Sequence, residues 1–296
     1  MLNEIKTTTL SNGETMAYRE SGAKLKEPVL IMIHGNQSSS LIFDSLMTHL
    51  EKTAHIFAVD LPGFGDSSYN TPHETLRDWA DDVALFMKKK KIPSATVLGW
   101  SAGGGIAMEL AACYPEKVQQ LVFSSSVGVK GLKMPGRGRG FTLVKRNPYL
   151  VNKEEIAKDS YIVAADKAIA EKNTRYFRFL WDEIIFNIED PPDPVFDAYV
   201  QDILKERCFL DMTVALCQFN ITHTSGPAEA SGRISDIKCP VTWIHGKQDI
   251  VVPFEEASSS LACFETQTEL IPIYEAGHAA FIDQPEVFVD ILCGLI

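Results

Sequence analysis

The sequence predicts an α/β fold, with a mostly parallel central sheet of about eight strands flanked by helices and carrying a helical cap insertion. Three observations point to it. Short apolar runs alternate with amphipathic stretches near both ends of the chain. The alternation stops between about residues 128 and 232, where every long patterned stretch reads as helix. An apolar strand also runs directly into a helix through Gly99-Trp100-Ser101-Ala102-Gly103. This pattern divides the chain into a core, 1–127 with 233–296, and a cap, 128–232.

The elements follow in order. Thr8 to Glu20 holds Asn12-Gly13 between two strand-like runs, a hairpin signal. Pro28 to Ile33 is continuously apolar, as a strand buried on both faces must be. Ser40 to Leu50 predicts a helix and His55 to Val59 a strand, leaving at Asp60-Leu61-Pro62-Gly63. Thr75 to Lys89 is amphipathic, with Leu76, Trp79, Val83 and Phe86 on one stripe. Ala95 to Leu98 and Val118 to Ser124 are strands, with a helix from Ile106 to Ala112 between them. The insertion predicts helices over Glu154–Ala170, Thr174–Ile188 and Pro194–Phe219. Val241–Ile244 and Leu270–Tyr274 then predict strands, and Phe254–Cys263 and Ala280–Leu292 helices.

Composition narrows the function. The chain has 296 residues, 45% of them hydrophobic, enough to bury a sizeable core. Its 28 basic and 39 acidic residues give a net charge of −11, which disfavours nucleic acid as a partner. Lys88 to Lys91 close a helix, where cations suit the negative end, and are read as solvated. Arg137 and Arg139 are read as part of a solvated glycine-rich loop. Six widely spaced cysteines without a C-x-x-C pair predict reduced thiols. An opening without an apolar leader and the lack of a run of about 18 apolar residues predict a cytoplasmic protein without membrane insertion. No metal-ligand spacing or phosphate loop occurs, so neither metal nor cofactor is expected. Oligomeric state has no signature here.

In a parallel sheet, ligands bind beyond the carboxyl ends of the strands, so the residues just after each strand carry the chemistry. Gly99-x-Ser101-x-Gly103 is a nucleophile elbow: side chains two places either side of the serine would make strand and helix collide. A serine hydroxyl needs a base, and the base needs an acid to fix its tautomer. His278 follows the last strand and Asp249 the strand before it, in the order serine, acid, base. Alone, Asp249 would cap a loop and His278 would be a turn histidine; jointly the three predict catalysis. An imidazole base predicts activity lost on acidification through about pH 6.5. His245 reads as a satisfied structural histidine, and Asp60 as a turn residue bonding backbone N–H groups. Donors for an oxyanion are expected from the backbone N–H groups of Ala102 and Asn36, with Gly35 allowing close approach.

His34-Gly35-Asn36, Asp60-Leu61-Pro62-Gly63-Phe64-Gly65-Asp66-Ser67, the elbow, Gly246-Lys247-Gln248-Asp249 and Gly277-His278 together resemble the α/β-hydrolase superfamily, specifically its capped serine-hydrolase branch. The likeness covers about Asn12 to Ser126 and Lys238 to Leu292. His34-Gly35-Asn36 is similar to the same stretch of haloalkane dehalogenases, but these and the epoxide hydrolases use an aspartate nucleophile, and position 101 is serine. The resemblance implies hydrolysis of an ester or lactone, with carbon–carbon hydrolysis, cofactor-free perhydrolysis or a non-catalytic receptor role as alternatives. The insertion carries 14 basic and 15 acidic residues, so the excess acid lies in the core. Ten aromatic residues lie between Tyr161 and Phe219; most should pack the cap helices, and some should face Ser101. The leading expectation is a hydrolase of small, mostly apolar esters or lactones acting through an acyl-enzyme.

Overall fold

A computed structural model describes residues 3–25, 27–135 and 149–296. The sheet has eight strands: β1 (Ile5–Thr9), β2 (Thr15–Ser21), β3 (Val29–Ile33), β4 (His55–Val59), β5 (Ala95–Trp100), β6 (Val118–Ser124), β7 (Val241–Gly246) and β8 (Thr268–Ile273). Their order is β1-β2-β4-β3-β5-β6-β7-β8, antiparallel for β1–β2 and β2–β4 and parallel elsewhere. From β3 the chain runs first to β4 on one side, then back past β3 to β5 on the other. The strand order therefore reverses between β3 and β5, and the crevice at their carboxyl ends is where such a sheet binds ligands.

The strands explain the unbroken apolar runs. In β3, Leu30 and Met32 join the core on one face of the sheet, while Val29, Ile31 and Ile33 join the core on the other. The second of these cores is covered by α2 (Leu76–Lys90), α3 (Ala102–Cys113) and α9 (Phe254–Leu261), and the first by α1 (Asp44–Leu50) and α11 (Pro285–Cys293). The predicted stripe of α2 is buried throughout, and Thr75 and Asp78 close its N-terminus as a capping box. Its basic end is not wholly solvated, because Lys90 donates to the Tyr18 hydroxyl at 2.7 Å.

Five described α-helices lie between β6 and β7: α4 (Lys153–Ile156), α5 (Ser160–Ala170), α6 (Thr174–Ile184), α7 (Asp193–Ile203) and α8 (Phe209–Gln218). Two of the predicted insertion helices are each two helices. Asp159 caps α5 by accepting from the Tyr161 N–H, which ends α4. The turn from Leu204 to Cys208 separates α7 from α8 because it docks on the loop after β4: the Arg207 N–H donates to Gly63 O at 2.8 Å, and its guanidinium bonds the Ser67 carbonyl. That partner is distant in sequence, so periodicity could not foresee it. The last predicted helix is likewise broken into α10 (Ala280–Asp283) and α11, where Pro285 lacks an N–H. The expectation for Arg137 and Arg139 lies outside the described residues. All six cysteines are free, and no described helix is long and apolar enough to cross a membrane.

Candidate active site

Ser101 stands between β5 and α3 with φ 55° and ψ −121°, a conformation that a side-chain-bearing residue adopts only under constraint. The constraint is visible. The Ser101 N–H donates to Ser124 O at the end of β6, and its carbonyl accepts from the Gly104 and Val127 N–H groups. A Cβ on Gly99 would lie 2.6 Å from Gly103 O, and one on Gly103 would lie 2.2 Å from Ile33 O. The two glycines of the elbow are thus required by backbone packing alone.

After β3, the chain turns through His34, Gly35, Asn36 and Gln37. His34 is fully buried; the Leu61 N–H donates to its Nε2, so the hydrogen is on Nδ1, which donates to Gly35 O at 2.7 Å. Burial pushes the imidazole's pKa down despite the nearby Asp60 and Asp202 carboxylates. Asp60 accepts from the Ser40 and Asp66 N–H groups, tying this loop to the one after β4. Ser39 also donates to Asp202 of α7 at 2.6 Å, so the insertion is anchored to the same loop. Among the described residues, the backbone N–H groups of Asn36 and Ala102 have no acceptor, and both residues line one cavity beside Ser101.

That cavity has a volume of about 570 Å³. His278 lines it from the turn after β8, and its Nδ1 donates to Asp249 Oδ2 at 2.9 Å, which leaves Nε2 free for a second partner. The Trp100 indole donates to the His278 carbonyl at 2.9 Å and holds the imidazole beside the elbow. Ser101 and His278 both line the cavity, and no described hydrogen bond joins Ser101 Oγ to His278. Asp249 Oδ1 accepts from the Val251 and Val252 N–H groups, both at 2.9 Å. Burial pushes the Asp249 carboxyl up, but the charge and hydrogen bonds of His278 and His245 outweigh it and hold the group well below the usual carboxylate range. Asp249 is therefore ionised and fixed from several sides.

The rest of the wall is mainly aliphatic. Leu180, Ile184, Ile185 and Leu216 of the insertion face it with Val127 and Val252. Of the ten insertion aromatic residues, some of them expected to face Ser101, Tyr161 alone lines the described cavity. Most of the others pack between helices, as Phe186 does against Trp181 and Phe196, while Phe179 is exposed. Periodicity marks an apolar face but not which neighbour covers it. A smaller cleft of about 90 Å³ is lined by Glu74, Glu109 and Arg233, with Arg233 already paired to Glu109, and has no nucleophile beside a base. Sequence reasoning assigned no role to Trp243 or to Asp283, which accepts from the Gly277 N–H at 2.7 Å and steadies the turn before His278. Trp243 donates to His245 two residues along the same strand at 3.1 Å, and neither contact has a signature in the local sequence.

A family model described as the alpha/beta hydrolase fold matches residues 28–285. The chain is 33% identical to Lipase 3 of Moraxella sp. (strain TA144), over 95% of this chain and 80% of that protein. It is 27% identical to the pimeloyl-[acyl-carrier protein] methyl ester esterase of Nitrosomonas europaea, over 88% of this chain and 93% of that one. The solved structure of the esterase EaEST from Exiguobacterium antarcticum superposes with a TM-score of 0.73 at 19% identity, covering 98% of both chains.

Proposed function

Because the chain belongs to the α/β-hydrolase family, we propose that it is a serine hydrolase that cleaves small, mostly apolar carboxylic esters or lactones through an acyl-enzyme. Ser101 Oγ attacks the ester carbonyl while His278 Nε2 takes its proton. Asp249 holds His278 in the tautomer with hydrogen on Nδ1 and stabilises the imidazolium that forms. The tetrahedral oxyanion is held by the backbone N–H groups of Asn36 and Ala102, a contribution of about 2.7–4 kcal/mol per donor in comparable sites. His278 then protonates the leaving alcohol, and the same groups direct water onto the acyl-enzyme.

The observation that carries this reading is the strained Ser101 on the wall of a cavity that the Asp249-bound His278 also lines. The aliphatic wall supports an uncharged acyl or alcohol group, with the insertion acting as a cap. The lipase and esterase relatives support ester substrates. Six free thiols support a reducing, cytoplasmic setting. The test is labelling with a fluorophosphonate probe together with turnover of p-nitrophenyl acetate and butanoate. Wild type should be labelled at Ser101 and turn over, and Ser101→Ala should do neither. Stoichiometric labelling of another residue, or turnover surviving in Ser101→Ala, sinks the proposal.

A further inference from the structure

One histidine at this site takes no part in the reaction as proposed. His245, on β7, is fully buried, and both of its ring nitrogens are engaged. The Trp243 indole N–H can only donate, and it points at His245 Nδ1 from 3.1 Å, so the imidazole hydrogen is on Nε2. That Nε2–H donates to Val252 O at 2.8 Å, and the same nitrogen lies 3.2 Å from Asp249 Oδ2. Oδ2 is thus approached by two imidazoles, His278 Nδ1 at 2.9 Å and His245 Nε2 at 3.2 Å.

We infer that His245 is a positioning residue for Asp249: oriented by Trp243, its N–H edge braces the 249–252 turn and draws part of the carboxylate's charge away from His278. The inference rests on the serine-hydrolase reading above. Its physical basis is charge sharing. A carboxylate facing two N–H edges divides its negative charge between them, and each edge feels less of it. With His245 gone, the whole charge bears on His278, the imidazolium is favoured, and the free base is lost at a higher pH. Among the described residues, Asp283 is a further titratable group that interacts with Asp249. Asp283, on α10, has its carboxyl pushed up to about 6, by burial first and by the Glu189 and Asp249 charges next, against the N–H groups of Gly277 and Glu189. Asp283 is present in every variant below, so the comparison isolates His245.

The test is the pH dependence of kcat/KM for p-nitrophenyl acetate in wild type, His245→Phe, His245→Gln and Trp243→Phe. In His245→Phe the acidic limb should move up by about half a pH unit or more, and kcat should fall roughly tenfold with KM nearly constant. His245→Gln, whose amide can still donate, should retain the wild-type limb, and Trp243→Phe should lie between. A merely structural role would lower the melting temperature and leave the limb in place; superimposable profiles therefore overturn the inference. If His245→Phe does not fold, ¹⁵N-histidine NMR of wild type decides. A hydrogen on Nε2 of His245 supports the assignment, and one on Nδ1 overturns it. A wild type that turns over no ester counts against the function instead, and leaves the tautomer result standing.

Discussion

A Cβ built on Gly35 would lie 2.9 Å from the Ser101 Cβ and 3.2 Å from the Trp100 ring. The loop after β3 and the elbow after β5 are therefore in backbone-to-side-chain contact, and the contact brings Asn36 beside Ser101. Gly35→Ala should push the loop away by a fraction of an ångström. Because the proposed oxyanion donors act only at the right distance, kcat/KM for p-nitrophenyl acetate should fall roughly 100-fold. Circular dichroism should show the fold retained, and an unchanged kcat/KM would mean that the loop position does not matter.

Ser101 pays for its position in backbone strain. A non-glycine residue held in such a conformation costs of order 1–3 kcal/mol, whereas glycine adds about 0.4–1 kcal/mol of unfolded-chain entropy. The strain outweighs the entropy, so Ser101→Gly should be more stable than Ser101→Ala by about 1 kcal/mol. Thermal melting of the two variants checks this, and equal midpoints would argue against strain at the elbow.

His73 and Asp82 form a buried pair, Nε2 to Oδ2 at 2.6 Å, with Asn12 donating to the other carboxylate oxygen. Burial pushes the imidazole's pKa down, but the Asp82 hydrogen bond and charge outweigh it, so the net direction is up from 6.5. A raised folded-state pKa stabilises the fold fully below the unfolded value and loses that contribution as pH rises through the folded one. Stability should therefore decline above about pH 6.5 through this pair. Asp82→Ala should cost roughly 3–5 kcal/mol and flatten the decline, as measured by urea unfolding at about pH 6 and about pH 9.

The hydrogen bond from Ser39 to Asp202 joins the loop that carries Asn36 to α7, and Lys205 pairs with the other Asp202 oxygen at 2.7 Å. Severing it frees that loop from the insertion. Asp202→Ala should lower kcat about tenfold, and Ser39→Ala by a similar factor. Because both break one link, the double variant should be no worse than the more damaging single one. Additive losses in that cycle would mean the two residues act separately.

Much of this molecule is legible in one dimension because its causes are local. Gly99 and Gly103 flank Ser101 for a steric reason that any strand-to-helix turn imposes, and the twofold-buried strands appear as unbroken apolar runs. The positions after successive strands pointed to Asn36, Ala102, Ser101, Asp249 and His278 as candidates, since a parallel sheet brings such positions to one edge. Folding decided what depends on partners remote in the chain. Arg207 reaching the loop after β4 split one expected helix in two. Packing turned most insertion aromatics inward and left aliphatic side chains at the cavity wall. The second imidazole on Asp249 arises because β7 ends beneath its own following turn, a distance of 3.2 Å that no spacing encodes. Periodicity records which face of an element avoids water; only three-dimensional packing determines which groups meet there.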